Sequence, residues 1–343
     1  MDIDLGTFPI FNVSDLNLVD SKTITDFIRD TGCLIVRDSS VDMLMNETFL
    51  DMMERYFSQT TEEKLEDARP NLCYQVGCTP EGIELSRCAQ DPKCLEFISS
   101  QPPEHRAEVP RGHDPKWRYM WRIGKYPERT MFNELNSEQV VPKRFATEWL
   151  GNMDTWGNAL VKVVYKVASI LEDGLEMPPT TLTSLLNGGS HLLSPTGTDL
   201  AKYNEIRTPY AGYHCDISFL TIHGRSRFPG LFIWLRDGTK VPVKVPPGCL
   251  LLQVGTQLEH ITGGYLKAGY HQVVCTQDTK KAMATAKCHW RVSSTLFSHV
   301  CSDKELRPFG KFNTPLCQSM YPPMLAGDFI RKELLITKLA EIT

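Results

Sequence analysis

The stretch Gly212-Tyr-His-Cys-Asp-Ile-Ser-Phe-Leu-Thr-Ile222 contains the one histidine of the chain that has a carboxylate two residues further on. Its aromatic and β-branched residues predict a strand. Side chains alternate along a strand, so we expect His214 and Asp216 on one face, with Cys215 pointing away. The pair sets an imidazole beside a carboxylate, which by itself is weak evidence for a metal site.

A second histidine strengthens this evidence. His271 follows Asp216 by 55 residues, within Gly263-Gly-Tyr-Leu-Lys-Ala-Gly-Tyr-His-Gln-Val-Val274. A hairpin and a return strand would bring it back beside the first pair. Two histidines and one carboxylate on one face of a metal form the facial triad of non-haem Fe(II) oxygenases, which leaves positions free for a cosubstrate and O2. The sequence therefore predicts an Fe(II) site at His214, Asp216 and His271.

Arg291-Val-Ser293 adds a pair suited to binding an anion. Strand alternation directs Arg291 and Ser293 to the same face. A guanidinium and a hydroxyl are the groups that a carboxylate requires in a dry site. The dianion 2-oxoglutarate can chelate iron through its 2-oxo acid end and reach Arg291 with its other carboxylate. We therefore expect Arg291 and Ser293 to anchor this cosubstrate.

The second half of the chain has the pattern of an all-β unit. Leu231–Leu235 and Val241–Val245 predict a hairpin around the turn pair Asp237-Gly238, and Cys249–Val254 predicts a buried strand. Several short strands within about a hundred residues indicate a β-sandwich or barrel.

The first half predicts a mixture of helices and strands. Apolar periodicity and capping signals predict helices at 21–31, 46–57 and 145–171, a helix start at Thr60, and a terminal helix at 325–342. Strands are predicted at 8–12, 33–36 and 117–123, whereas residues 70–116, rich in Pro, Gly and Cys, predict loops.

These motifs resemble those of the isopenicillin N synthase-like Fe(II)/2-oxoglutarate-dependent oxygenases. The residues that carry the resemblance are His214-x-Asp216, His271 and Arg291-x-Ser293, together with the segment Gly248-Cys-Leu-Leu-Leu-Gln-Val-Gly-Thr-Gln-Leu-Glu-His-Ile-Thr-Gly-Gly264. The N-terminal half resembles the helical cap of that family through Phe8-Pro-Ile-Phe11, Thr31-Gly-Cys-Leu-Ile-Val36 and Tyr56-Phe-Ser58. The resemblance covers nearly the whole chain.

The resemblance implies an α+β fold with a mainly β core: a double-stranded β-helix, or jelly roll, with a helical N-terminal cap and a C-terminal helix. It divides the chain into an N-terminal cap region (1–115), a helical support (116–195), the jelly-roll catalytic core (196–300) and a C-terminal helical lid (301–343). In this family a tyrosine on the strand before His-x-Asp often contacts the cosubstrate, and Tyr203 is the candidate here.

Two positions depart from the family pattern. Gln272 stands where the family usually has an arginine after the second histidine, but that residue is not a ligand. Arg291 follows His271 by 20 residues, about twice the usual spacing, and the additional polar segment 277–287 is expected to be an extended loop between strands.

Composition excludes several classes of protein. The chain has 343 residues and a net charge of −4, which disfavours a nucleic-acid binder. We expect no membrane span and no signal peptide, because no apolar run approaches ~18 residues and the N-terminus has no positive or apolar region. The eleven cysteines include no C-x-x-C pair, so we expect mostly thiols in a reducing compartment. A cytoplasmic monomer is the expectation.

The predicted function is oxidation of an unactivated C–H bond of a small molecule, by hydroxylation, desaturation or oxidative cyclisation. Halogenation is disfavoured, since related halogenases lack the carboxylate ligand that Asp216 supplies. The alternatives are an oxidase of the same family that uses O2 without 2-oxoglutarate, and a binding protein on an inactive scaffold. A nucleic-acid demethylase is disfavoured by the acidic balance.

The expected substrate bears a carboxylate and is an amino-acid derivative or a natural product. Cations are costly beside a bound metal unless an anion offsets them, and Arg122, Arg207 and Arg225 are the candidate cations. Arg122 is the candidate substrate clamp if its strand borders the mouth of the barrel. If the aromatic residues of that strand pack the core instead, Arg122 is a surface arginine that faces outward. Tyr210 and Phe297 are the predicted apolar walls.

Overall fold

Local sequence signals set the bounds of the N-terminal elements in the computed structural model, which describes residues 8–89, 91–110, 112–337 and 339. Helix α1 begins after Asp20, whose carboxylate accepts a hydrogen bond from the Thr23 N–H, and it ends at Gly32 with a left-handed φ of 82°. Thr60 and Glu63 form the predicted capping box at the start of α3.

The described helices are α1 (Ser21–Thr31), α2 (Leu44–Phe57), α3 (Thr61–Leu65), α4 (Pro92–Ser100), α5 (Trp149–Gly174), α6 (Thr181–Leu186), α7 (Thr256–Ile261), α8 (Gln277–Met283), α9 (Pro315–Met320) and α10 (Ala326–Ile336). Within the described ranges, no helix is both long and apolar enough to span a membrane.

The described strands are β1 (Ile10–Asn12), β2 (Cys33–Arg37), β3 (Gly77–Thr79), β4 (Trp117–Ile123), β5 (His191–Leu193), β6 (Thr196–Asp199), β7 (Pro209–His214), β8 (Leu220–His223), β9 (Leu231–Trp234), β10 (Lys240–Pro242), β11 (Leu250–Val254), β12 (Tyr270–Val274), β13 (Trp290–Val292), β14 (Thr295–Ser298), β15 (Glu305–Leu306) and β16 (Met324–Leu325).

Two sheets form the barrel. The larger has the order β1-β2-β11-β8-β14-β5-β4-β6-β13, with β3 beside β4, and the smaller has the order β10-β9-β12-β7. All pairs in these sheets are antiparallel except β1 with β2. The predicted α+β jelly roll is confirmed, and so is the β9–β10 hairpin, whose turn contains Gly238 at φ 86°.

Helix α5 covers the outer face of the larger sheet. Its predicted apolar face is fully buried, from Trp149 through Met153, Trp156 and Leu160 to Leu171. It shares one hydrophobic core with α1, α2 and the strands beneath it. Burial of this face, at roughly 25 cal/mol per Å² of apolar surface, holds the helical layer on the sheet. The two sheets also pack on each other through an apolar cluster that includes Ile35 and Leu251 of the larger sheet and Ile233 and Val241 of the smaller sheet.

Three local expectations are wrong. Segment 277–287 is not an extended loop, because it contains α8, which is capped by Thr276 and packs Ala282 and Met283 into a cluster with Tyr210. The loop region 70–116 contains β3 and α4. The strand predicted across 212–222 is interrupted after His214 and resumes at Leu220.

The cysteines agree with the expectation that most are thiols, since nine of those described are not part of a disulfide. Cys88 and Cys94 are joined in a disulfide, which the sequence pattern did not indicate. The predicted division into four segments stays a prediction. Strands from 1–115 and 116–195 are nevertheless part of the same large sheet as the strands of 196–300.

Candidate active site

Three potential metal ligands converge between the two sheets. His214 ends β7 and lies directly opposite His271 of β12 in the antiparallel register, with ring centroids 4.2 Å apart. The Asp216 Oδ1 atom lies 3.5 Å from His214 Nε2 and 3.7 Å from His271 Nε2. One ligand atom from each of the three residues falls within 4.8 Å of the others. The structure thus brings together all three predicted ligands.

The orientation of His214 is set by Gly212. The His214 Nδ1–H donates to the Gly212 carbonyl at 2.6 Å, which leaves Nε2 with a free lone pair. The Gly212 N–H in turn donates to Asp114 Oδ1 at 3.1 Å. A Cβ at position 212 would lie 2.1 Å from Ser86 Oγ, so only glycine fits this close approach.

Asp216 reaches the site by a different route from the one its spacing suggested. Because β7 stops at His214, Asp216 lies in the connection to β8, and strand alternation does not place it. Its Oδ2 accepts a hydrogen bond from Thr221 Oγ1 at 2.6 Å, and its carbonyl accepts from the Thr256 N–H at 2.9 Å. These two anchors hold Oδ1 toward the histidines.

The protonation states of Asp216 and His271 suit a divalent metal. Burial would raise the pKa of Asp216, but His271, His214 and the Thr221 hydroxyl outweigh it, so the pKa lies below its ordinary value. Burial lowers the pKa of His271 to about 3, so this imidazole is neutral. Neutral imidazole nitrogens and an ionised carboxylate are the donors of a 2-His-1-carboxylate Fe(II) site. The residues therefore fit the metal that the sequence predicts.

A cavity of about 360 Å³ opens on one side of the three ligands, and we call it the Arg291 cavity. His214, Asp216 and His271 line it together with Arg291, Ser293 and Phe297. Arg291 is buried, and its Nε–H donates to the Pro229 carbonyl at 3.3 Å. Burial, opposed by Tyr210, lowers the pKa of Arg291 to about 10, so it remains a cation at neutral pH.

Ser293 has its hydroxyl hydrogen available for a ligand. Its Oγ accepts from the Thr196 N–H at 2.8 Å and from the Thr196 hydroxyl at 2.9 Å. With both lone pairs engaged, the O–H of Ser293 is left to donate. Arg291 and Ser293 thus offer one cation and one hydroxyl donor to an anion in this cavity.

A second cavity, of about 110 Å³, is also lined by His214 and Asp216, and we call it the Glu84 cavity. Its polar lining includes Glu84, Ser86, Asp114, Lys116 and Arg118, and its apolar lining includes Met120, Leu135, Ile217, Ile330 and Leu334. Phe297 and Arg118 line both cavities. The two cavities therefore share two of the potential metal ligands, His214 and Asp216, whereas His271 lines the Arg291 cavity.

The predicted roles of Tyr203 and Tyr210 do not fit their positions. Tyr203 lies in the turn after β6, and its carbonyl accepts a hydrogen bond from the Tyr210 hydroxyl at 2.9 Å. Both belong to the apolar cluster that contains Leu200, Phe228 and Cys275. Among the described residues lining the two cavities, neither tyrosine is found, whereas the predicted wall Phe297 lines both.

Arg122 also lies away from the site. It lies near the end of β4, and its guanidinium is buried and donates to Asn136 Oδ1 at 2.6 Å and to the carbonyls of Lys125, Gly188 and Gly189 at 3.0–3.1 Å. Through these hydrogen bonds Arg122 holds the neighbouring loops in place, and it is not available to bind a ligand in either cavity. The structure does not support a substrate clamp at Arg122.

The other candidate cations are more exposed. Arg207 is 75% exposed and pairs with Glu108, whereas Arg225 lines the Arg291 cavity at its exposed rim. Lys116, Arg118 and Glu84 were missed by sequence reasoning. The available signal was strand alternation, which puts Arg118 on the same face of β4 as Arg122.

Comparison with known proteins agrees with the geometry. Residues 198–300 match the family model described as the 2OG-Fe(II) oxygenase superfamily. Mugineic-acid 3-dioxygenase of Hordeum vulgare is 27% identical over 178 residues, which are 51% of this chain and 48% of that protein. A 2-oxoglutarate-dependent dioxygenase of Gibberella zeae is 26% identical over 260 residues, which are 73% of this chain and 62% of that protein. The chain thus spans about half to three fifths of the length of these relatives.

The same fold is found in a solved structure. Full-length T7H of Neurospora crassa, in complex with alpha-KG, superposes with a TM-score of 0.71 at 16% identity, and the match covers 95% of each chain.

Proposed function

We propose that this chain, whose residues 198–300 match the 2OG-Fe(II) oxygenase superfamily, uses Fe(II), 2-oxoglutarate and O2 to oxidise a C–H bond of a small molecule. The observation that carries the proposal is the convergence of His214, Asp216 and His271 beside the Arg291 cavity, with His214 and Asp216 also lining the Glu84 cavity. When bound by the three ligands, Fe(II) supplies O2 activation coupled to oxidative decarboxylation of 2-oxoglutarate.

In this proposal the Arg291 cavity binds 2-oxoglutarate. Arg291 and the free O–H of Ser293 bind the carboxylate remote from the metal, and they fix the orientation of the cosubstrate. His214, Asp216 and His271 hold the metal against its other end. Burial of Arg291 keeps water away from the anion and strengthens the charge pair. A requirement for 2-oxoglutarate distinguishes this reading from an oxidase that uses O2 alone.

The Glu84 cavity binds the substrate in this proposal, with one end beside the metal ligands His214 and Asp216. We propose a carboxylate-bearing substrate whose carboxylate is bound by Arg118, in place of the originally predicted Arg122. Arg118 lines both cavities, and its Nε is buried without a partner among the described residues. The name of the barley relative, mugineic-acid 3-dioxygenase, also refers to an acid.

The test is turnover of the reconstituted protein. Purified protein supplied with Fe(II), 2-oxoglutarate and O2 should form succinate slowly when no substrate is added. Succinate should form faster when a small acid that is a substrate is added. The affinity of Asp216→Ala for Fe(II) should be more than about 100-fold lower than that of the wild type, because losing only a hydrogen-bond partner of a ligand already lowers metal affinity 10–100-fold. This variant should form no succinate. Wild-type protein that binds iron but consumes O2 without forming succinate would favour the O2-only oxidase. Protein that binds no iron would overturn the proposal.

The remaining sequence expectations stay predictions. These are the cytoplasmic location, the monomeric state, and the assignment of 196–300 as catalytic core and 301–343 as lid.

A further inference from the structure

Three buried polar atoms on one wall of the Glu84 cavity have no hydrogen-bond partner among the described residues. They are Glu84 Oε2, Ser86 Oγ and Arg118 Nε. Buried polar atoms are normally paired, and each orphan costs free energy until a partner arrives. Three orphans around one cavity beside the metal ligands point to a ligand that supplies the missing partners.

Glu84 has one oxygen engaged and one oxygen free. Its Oε1 lies 2.9 Å from Arg118 Nη2 and 3.4 Å from Lys116 Nζ. Burial would raise the pKa of Glu84, but Arg118 and Lys116 outweigh it, so the pKa lies below its ordinary value. An ionised carboxylate has no hydrogen to give, so Oε2 can only accept.

The cations that line the cavity do not outnumber its carboxylates, which also include Glu333 and the potential metal ligand Asp216. Lys116 also pairs with Asp114 at 2.6 Å, so two carboxylates, Glu84 and Asp114, face two cations, Lys116 and Arg118. A ligand that brings only a carboxylate adds an uncompensated negative charge to this buried cluster. A zwitterion adds none, because its ammonium and carboxylate balance each other.

We propose that Glu84 Oε2 binds a protonated amino group of the substrate, which makes the substrate an amine-bearing acid. The ammonium donates to Glu84, and the carboxylate accepts from Arg118. The apolar residues Leu135, Ile330 and Leu334 contact the remaining carbon skeleton. This inference rests on the proposed function, because it assigns the ligand class of the same site.

The experiment compares matched ligands on the iron-free protein. Isothermal titration calorimetry would use amino acids and dipeptides. Each is paired with the same carboxylic acid without its amino group, for example L-phenylalanine with 3-phenylpropanoate and L-leucine with 4-methylpentanoate. The N-trimethyl derivative of each amine keeps the charge but has no N–H to donate. In the wild type, the best amine should bind about 10-fold or more tightly than its des-amino and N-trimethyl partners.

Glu84→Gln tests the residue itself. Its amide keeps an acceptor for Arg118 but presents an NH2 group in place of Oε2, so the preference for the amine should disappear. Glu81→Gln is the matched control, because Glu81 pairs with Lys202 outside the cavity. That variant should keep the wild-type preference. The preference is the ratio of two Kd values measured on the same protein. A variant that is only partly folded lowers the binding of both ligands alike, so partial folding does not remove the preference.

Two results would overturn the inference: a wild type in which no amine binds better than its partners, or a Glu84→Gln variant that retains the preference. Should Glu84→Gln not fold, the wild-type comparison with des-amino and N-trimethyl ligands decides alone. Binding is measured without iron, so failure of 2-oxoglutarate turnover would overturn the proposed function without altering this result.

Discussion

Replacing Arg291 with leucine removes the proposed anchor of the cosubstrate while leaving the three metal ligands in place. A charge-assisted pair in a desolvated site costs roughly 2–5 kcal/mol when one partner is removed. That range corresponds to an increase in the KM for 2-oxoglutarate of about 30-fold to a few thousand-fold. Iron content should be unchanged, because Arg291 is not a ligand. Succinate formation at varied 2-oxoglutarate gives the KM, and metal analysis gives the iron content.

Thermal unfolding provides a second readout of the same substitution. A ligand at 100 times its Kd stabilises the wild type by about 2.7 kcal/mol. If Kd rises 30-fold, the same concentration stabilises Arg291→Leu by less than about 1 kcal/mol. Without 2-oxoglutarate the variant should be at least as stable as the wild type. Burial already lowers the pKa of Arg291, which means that the empty cavity disfavours this cation.

Arg207→Leu is the matched control, because it removes an exposed arginine that pairs with Glu108 outside both cavities. It should leave the KM for 2-oxoglutarate within about twofold of the wild type, since exposed ion pairs contribute little. An unchanged KM in Arg291→Leu would refute the assignment. A rise in Arg207→Leu instead would transfer the role to that residue.

Three further substitutions test the surroundings of the site. Thr221→Val removes the hydrogen bond to Asp216 Oδ2 and should lower Fe(II) affinity about 10–100-fold in a metal titration, with unchanged circular dichroism. Gly212→Ala places a Cβ 2.1 Å from Ser86 Oγ and should cost about 1–3 kcal/mol in urea unfolding, partly restored by adding Ser86→Gly. Burial lowers the pKa of His191 to about 3, below its unfolded value, so the unfolded state binds the additional proton between about pH 6.5 and 3. The free energy of unfolding should therefore fall as pH drops through this window, by up to about 1.4 kcal/mol per pH unit, and His191→Asn should lose this part of the slope.

The pairing of the histidines could be predicted because it depends on strand alternation and a return strand. His214 and His271 do face each other in the register of β7 and β12. Asp216 lies at the predicted site, but strand alternation does not determine its position. Its carboxylate is held by Thr221 and its carbonyl by Thr256, and both contacts require the folded barrel.

Arg122 shows why the substrate wall was harder to predict. Alternation puts Arg118 and Arg122 on one face of β4, and sequence alone does not say where along that face a cavity opens. The cavity lies at Arg118, whereas Arg122 meets the carbonyls of Gly188 and Gly189, which come from a distant part of the chain. Helix α8 was missed because its polar composition concealed the cap at Thr276 and the packing of Ala282.

The register of His214 opposite His271 also determines when iron can act during folding. These residues lie far apart along the chain and meet only when β7 and β12 pair, while Asp216 also requires the contact with Thr256. Contacts of such long range form late, since loop-closure entropy opposes them. A metal that binds only the assembled set stabilises the native state more than the transition state. Bound iron would therefore lower the unfolding rate and leave the refolding rate of the chain nearly unchanged.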